Sequence, residues 1–348
     1  MKKTLSLLLG LILLGMPAAA QENLGQRSFK EVDVIAFCSY EEWHPDYYML
    51  DNNWQILCAL RTPHALADLD SMGIRWNQSQ IRLLQVGGLL AKEGKLWKTQ
   101  IPIFDQKQTQ AIRRETRAFA DSLIGVIEPS CREFVDELSV QGYETNAYSL
   151  LFSYVLDGDR VWEHFPDKAD LGHHATWDGL YWVMYEPRAG MKCGTNSYGY
   201  LSHTWSTPME CWPDMNLFVA LGKRIQNGHL NMDDPEKAAK LARYGYTDAQ
   251  GNLTLPVIHL GQDNRLNRAA DHIVTSLVDA VKSHTSRFAS AYDIANEEQA
   301  AIIFYHELMW DVLDLLTERG IITCPAILTG QSSDPKHLRD VTFVYQEK

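Results

Sequence analysis

Apolar residues recur at different spacings along this chain, and each spacing predicts a different element. Residues 32–37 (VDVIAF) form a short β-branched run, the pattern of a buried strand. From Asp51 the period becomes helical. It predicts a helix over 54–60 and a second entered at Thr62-Pro63 and ending near Gly73. A third is opened by Asn77, with Gln80 three residues on, and runs to Leu90. Residues 91–94 turn the chain. Residues 95–104 then alternate, with Trp97, Thr99, Ile101 and Ile103 on one face, as a half-buried strand does. Asp105 with Gln108 repeats the capping signature ahead of an apolar stripe of Ile112, Phe119, Leu123 and Ile127. Pro129 is expected to end or kink that helix, with Cys131, Phe134, Val135 and Leu138 continuing in a shorter one. Arg113, Arg114 and Arg117 fall on the opposite face, read as solvated.

The run from Thr145 to Trp162 suits either a buried helix or a strand, and Asp157-Gly158 ends either one. Residues 171–213 read as strands and turns, because Pro187, Gly190, Gly194 and Pro208 rule out a long helix. A short helix is predicted over 215–226 and a polar one over 232–244, begun at Asp233-Asp234-Pro235. A small strand follows at 253–260. Residues 267–284 carry Ile273, Leu277 and Val281 at helical spacing. Asn296 with Gln299 opens another helix, striped by Ile302, Tyr305, Met309, Val312 and Leu316 and stopped by Gly320. Residues 321–328 and 341–345 are expected to pair as a hairpin.

The first residues change the setting. Lys2 and Lys3, an apolar stretch over 5–14 and Ala18-Ala19-Ala20 have the layout of a secretory signal peptide over residues 1–20. The apolar run is too short to span a bilayer, and the mature chain is expected to be exported and soluble, periplasmic or extracellular, without a transmembrane segment. Removing those two lysines takes the formal charge from −12 to −14. So acidic an exported chain is a poor partner for nucleic acid, whose phosphates are held by clustered Lys and Arg. All six cysteines survive cleavage, and an oxidising compartment permits disulfides, with Cys193 and Cys211 the pair nearest within one segment.

Three short helices followed by a β-ribbon, residues 51–104, resemble a winged helix-turn-helix module. A second such unit is placed at about 296–346. In that family the third helix reads DNA, but residues 77–90 carry Arg82 as their lone cation, so the resemblance implies a scaffold or a protein-binding surface. His44-Pro45-Asp46 is similar to the His-Pro-Asp of some zinc deacetylases, although Tyr47 and Tyr48 stand where those families place a second acid. The plain alternative is a turn initiated by proline.

The unusual chemistry concentrates in 171–212, which holds His173, His174, His203, four tryptophans and two cysteines. His174, Asp178 and His203 are the candidate metal ligands, with zinc the metal they would suit. Cys193 precedes Gly-Thr-Asn, read as a turn whose amides face an oxyanion, with His203 or His174 as base and Asn196 as its orienter. Trp177, Asp178, Tyr181 and Trp205 are the candidate ligand-binding residues, aromatic walls with a placed polar group. His306 shares an apolar stripe and is read as a core histidine. The fold class expected is α+β, winged-helix-like helical modules with β-ribbons flanking a mixed aromatic-rich segment. Its parts are an N-terminal domain to residue 144, the mixed segment over 145–262 and a helical end over 263–348. The expected function is non-catalytic binding of a small ligand, glycan or protein partner. The alternatives are a hydrolase, metal-dependent or Cys/His, with its site in 171–213, and an envelope assembly scaffold.

Overall fold

A computed structural model of the chain describes residues 24–40, 43–217, 225–226, 229–230 and 234–346. The signal-like segment and most of the helix expected at 215–226 lie outside the described residues. The fold is α+β.

Strand β1 (Asp33–Tyr40) starts one residue later and runs three residues further than the apolar run suggested. Three short helices follow: α1 (Asn53–Ala59), α2 (Leu66–Ser71) and α3 (Gln78–Val86). Asn77 and Gln80 form the expected reciprocal cap on α3. Thr62-Pro63 does not open α2. Its first turn is closed instead by Asp68, which accepts from the Ala65 N–H at 3.0 Å, because His64 is tied to Trp97 by paired backbone bonds. Helix α3 stops at Gly87-Gly88, so Leu90 belongs to strand β2 (Leu90–Glu93), which pairs with β3 (Leu96–Thr99). Strand β4 (Ile103–Phe104) leads into α4 (Gln106–Val140), a single helix of 35 residues. Pro129 sits inside it without breaking it. The proline removes one backbone bond, but burial of Ile124, Ile127, Cys131 and Phe134 on either side of it holds the axis.

The ambiguous stretch is helical: α5 (Ala147–Leu150) runs on into a π-helical turn over Leu151–Leu156. Short α6 (Asp159–Trp162) and α7 (Lys168–Leu171) lead to β5 (Trp177–Met184). Then come β6 (Cys193–Tyr198), β7 (Leu201–Ser206), the small strands β8 (Ile225–Gln226) and β9 (His229–Leu230), and α8 (Pro235–Arg243), capped by Asp234. Strand β10 (Val257–His259), helices α9 (Arg265–Tyr292) and α10 (Glu297–Glu318) and strand β11 (Thr342–Gln346) complete the chain. Helices α4, α9 and α10 pack against one another. Residues 321–328 hold no strand, so the expected second hairpin does not form. Strand β11 pairs instead with β10 and β7, in a sheet ordered β10-β11-β7-β6.

A second sheet, ordered β1-β5-β4, positions the site described below. It divides the two hydrophobic cores. Along β5, Leu180, Trp182 and Met184 enter the larger, helical core, while Trp177, Tyr181, Val183 and Tyr185 enter the smaller one built by α1–α3. That two-residue alternation is the strand period itself. The domain boundary expected at residue 144 is therefore crossed by this sheet, which joins residues 33–40 to residues 177–184.

A buried ion cluster ties β1 to the helices. Arg113 donates to Asp33 at 2.9 Å and to Glu307 at 3.1 Å, and Arg188 reaches Glu307 at 3.3 Å and also pairs with Asp311. Lys192 also pairs with Asp33, and burial pulls its ammonium down to about 8. Arg113 is thus not on a solvated face, and Arg117 pairs with Glu318 at 2.6 Å. The cause is tertiary: α10 brings Glu307 and Glu318 against α4. Breaking a buried pair from one side leaves its partner charge short of a counter-ion. Arg113→Met is expected to cost about 3 kcal/mol in urea unfolding, and a cost below about 1 kcal/mol would show that the cluster contributes little.

Candidate functional site: a thiol, an imidazole and a carboxylate at the end of β1

At the end of β1 the chain leaves the sheet, and Pro45–Tyr48 turns back as one 3₁₀ turn, with His44 as its N-cap. The proline sets the first turn and lacks the N–H that would go unused there. This turn carries His44 and Asp46 to the sheet face that bears Cys38 and Tyr181. Cys38 stands opposite Gly179 in the β1–β5 register, and Tyr181 opposite Ala36, so all of these share one face.

Gly179 is needed for this approach. Its φ is +119°, and a Cβ there would fall 2.3 Å from the Phe37 carbonyl oxygen and 2.8 Å from the Cys38 Cα. Tyr48 fixes the far side of the turn. Its hydroxyl shares a hydrogen bond with Thr176 Oγ1 at 2.8 Å, and its ring lies where a side chain at Gly87 would be.

The His44 Nδ1 atom lies 3.2 Å from the Asp46 backbone N and 3.4 Å from Asp46 Oδ2. One nitrogen cannot serve both. A neutral ring with a bare Nδ1 accepts from the backbone N–H, whereas the imidazolium donates to the carboxylate. Hydrogen bonds to Asp46 and then to Cys38 raise the His44 pKa to about 9, so the second arrangement prevails at neutral pH. Burial alone would raise the Asp46 carboxyl, but the bonds from His44 and from the Tyr181 hydroxyl outweigh it and hold that carboxyl below its ordinary range. Burial, followed by the charge of Asp46, pushes the Tyr181 phenol up, so it remains a donor. The order is Cys38, His44, Asp46, Tyr181: a thiol beside an imidazole oriented by a carboxylate that a phenol in turn holds.

The cluster is open to water. Cys38 is half-buried, and the side chains of His44 and Asp46 are 21% and 45% exposed. Beside it Trp43, Tyr47 and Leu50 are exposed large apolar residues, and the Trp43 ring centroid lies 6.5 Å from that of Tyr47.

The residues singled out from the sequence are distributed differently. Trp177 and Tyr181 do share the Cys38 face, with ring centroids 6.4 Å apart. Asp178 points to the opposite face, where it bonds His173 Nδ1 at 2.6 Å. His174 stacks on Trp177 at 3.9 Å against Gly88, and burial lowers its pKa. His203 lies in the other sheet, fully buried, and burial takes its pKa down to about 3. Among the described residues no group of three or more His, Cys, Asp or Glu side chains is arranged to hold a metal ion, so His174, Asp178 and His203 do not form a set.

Residues 194–196 are not a turn. They lie inside β6, where the backbone pairs with β7 instead of facing an oxyanion. Asn196 is opposite His203, and Cys193 opposite Ser206. Positions 193 and 196 lie three apart along the strand, an odd offset, so Cys193 points to the face opposite Asn196 and His203, which removes that arrangement. Cys193 lies 3.6 Å from the Tyr148 hydroxyl, and burial pushes its thiol up to about 12. Trp205 packs over Gly194 in that same sheet and does not join Trp177 and Tyr181. All six cysteines are free thiols, Cys193 and Cys211 included. His306 is buried with Nδ1 at 3.1 Å from the Ile302 carbonyl oxygen, as a core histidine.

Cys38 is the residue the sequence reading passed over. Its signal was local, because a thiol, an imidazole and a carboxylate stand at 38, 44 and 46, where a strand gives way to a turn. Comparison with protein-family models, with curated proteins and with solved structures returned no match.

The raised His44 pKa has a consequence for stability. A histidine whose pKa goes from 6.5 to about 9 on folding adds stability that is fully present below pH 6.5 and is lost as pH rises through about 9. Urea unfolding of the parent and of His44→Asn should therefore differ most at about pH 6 and converge at about pH 10. A gap that is constant with pH would exclude the imidazolium–carboxylate pair.

Proposed function

We propose that this protein is an exported cysteine-dependent acyl hydrolase, with Cys38 as nucleophile, His44 as proton carrier and Asp46 as the group that orients the imidazole. The observation that carries this reading is the imidazole of His44, bonded to Cys38 and to Asp46. In such a couple the sulfur attacks an acyl carbon while the ring holds the proton. The C–S bond forms and the bond to the leaving group breaks, with the His44 proton passing to the departing atom. Water then attacks the thioester with the ring as base, which restores the thiol. Tyr181 acts through Asp46 as a positioning residue. Export rests on the signal-like residues 1–20, and no described helix is long and apolar enough to cross a membrane.

The exposed Trp43, Tyr47 and Leu50 favour a second reading at this same place, in which an amphiphilic ligand is bound without turnover. The helices and hairpin over 53–99 then serve as the scaffold that seats the turn, in keeping with the winged-helix resemblance.

The test is alkylation followed by turnover. Burial pushes up the thiols of Cys58, Cys131, Cys193, Cys211 and Cys324. Iodoacetamide at neutral pH should therefore modify Cys38 first, read by peptide mass mapping. His44→Asn should slow that labelling about 100-fold and Asp46→Asn about 10-fold. Cys38→Ser should abolish hydrolysis of an activated thioester. Labelling spread evenly over the cysteines, or labelling of Cys38 indifferent to His44, would rule the catalytic reading out. Retention of ligand binding by Cys38→Ser with no turnover in the parent would favour the second reading.

A further inference from the structure

Strand β1 lies at the edge of its sheet, and the backbone pattern shows which of its groups are left over. The Gly179 N–H donates to Gly172 O and the Val183 N–H to Pro102 O, both away from β1. These residues stand opposite Cys38 and Val34. In an antiparallel pair, residues opposite each other either exchange both bonds or neither, in alternation. Asp33, Ile35, Phe37 and Ser39 therefore bond to β5, whereas Val34, Ala36, Cys38 and Tyr40 direct their N–H and C=O groups to the outer edge. No backbone bond to that edge occurs among the described residues. Ala36 and Ser39 are exposed along it. An unpaired edge of this kind is a template for one more strand.

We infer that the substrate of the Cys38 site is an extended peptide that adds as a strand to the outer edge of β1, with its carbonyl carbon beside the thiol. This rests on the catalytic reading above and adds the substrate class. Main-chain bonds from Val34, Ala36 and Cys38 would hold any sequence in register, and the apolar Trp43 and Tyr47 would meet alternate side chains. With the reacting carbonyl beside Cys38 and the residues that precede it along Ala36 and Val34, the peptide has its amino end toward Asp33 and runs parallel to β1. Attack forms the C–S bond and breaks the C–N bond. The proton held on His44 passes to the leaving amine, and water releases the acid.

The experiment compares labelling of Cys38 in the full mature chain by four reagents: chloroacetamide, a one-residue alanyl chloromethyl ketone, a tetra-alanyl chloromethyl ketone, and the tetra-alanyl ketone N-methylated at one amide at a time. The expected result is at least a 10-fold faster reaction for the peptide ketone than for a one-residue ketone. N-methylation at alternate amides, those facing β1, should remove that gain, and N-methylation at the others should leave it. Equal rates for long and short ketones, or indifference to every N-methyl position, would overturn the peptide inference while chloroacetamide still labels Cys38 through His44. Failure of chloroacetamide to select Cys38 would overturn both readings. Ala36→Pro, which places a ring on the outer edge and leaves the bonds to β5 in place, should lower peptide labelling with chloroacetamide labelling unchanged. An equal loss for both reagents would count against edge docking.

Discussion

The structure depends on a strand buried on both sides. Strand β5 runs between two cores, and every residue from Gly179 to Met184 is buried. Its two faces serve different neighbours: Trp182 fills the helical core, and Tyr181 the core of the short helices. A one-residue slip of such a strand would exchange the faces, moving the fully buried Trp182 and Tyr181 each into the wrong core. Register is thus held far more firmly than in a sheet with one wet face. The placement of β1, and with it of Cys38, follows from that register.

The site uses this rigidity at one point and an irregular segment at the next. Cys38 is held by the ladder and by the absence of a side chain at Gly179, while His44 and Asp46 stand on one 3₁₀ turn anchored by Tyr48. The rigid part fixes the sulfur, and the turn brings polar groups to it without burying unpaired backbone. Tyr181 joins the two, since its ring is packed in the core of the strand and its hydroxyl reaches the carboxylate of the turn. A rigid sheet bearing one side chain of a site, with the others on an adjoining turn, is a common division of labour in binding and catalytic sites.

The ion cluster of Asp33, Arg113, Glu307, Arg188, Asp311 and Lys192 belongs to the same frame. It lies at the start of β1, where the strand meets α4 and α10, and it fixes the opposite end of the strand that carries the thiol. Charges this deep are costly to bury, and Asp33, Arg113, Glu307 and Arg188 each meet at least two opposite charges. The cluster couples the sheet to the helices, since Asp33 on β1 reaches Arg113 on α4 and Arg113 reaches Glu307 on α10.

The sequence alone determined the local elements, because their causes lie within a few residues. The reciprocal caps at Asn77–Gln80 and Asp105–Gln108, the cap at Asn296 and the alternation through Trp97 and Thr99 all appear in the structure. So does the core role of His306. What needed the tertiary structure was anything decided by a partner far along the chain. Pro129 does not break α4, because packing against α9 and α10 outweighs one missing bond. Residues 321–328 form no strand, because β11 finds its neighbours in β7 and β10. Cys193 and His203 face opposite ways, since the strand period separates them once 194–196 is ladder and not turn. The thiol, imidazole and carboxylate at 38, 44 and 46 were present in the sequence, but their meeting rests on the pairing of β1 with a strand about 140 residues later. No spacing within nine residues encodes that pairing.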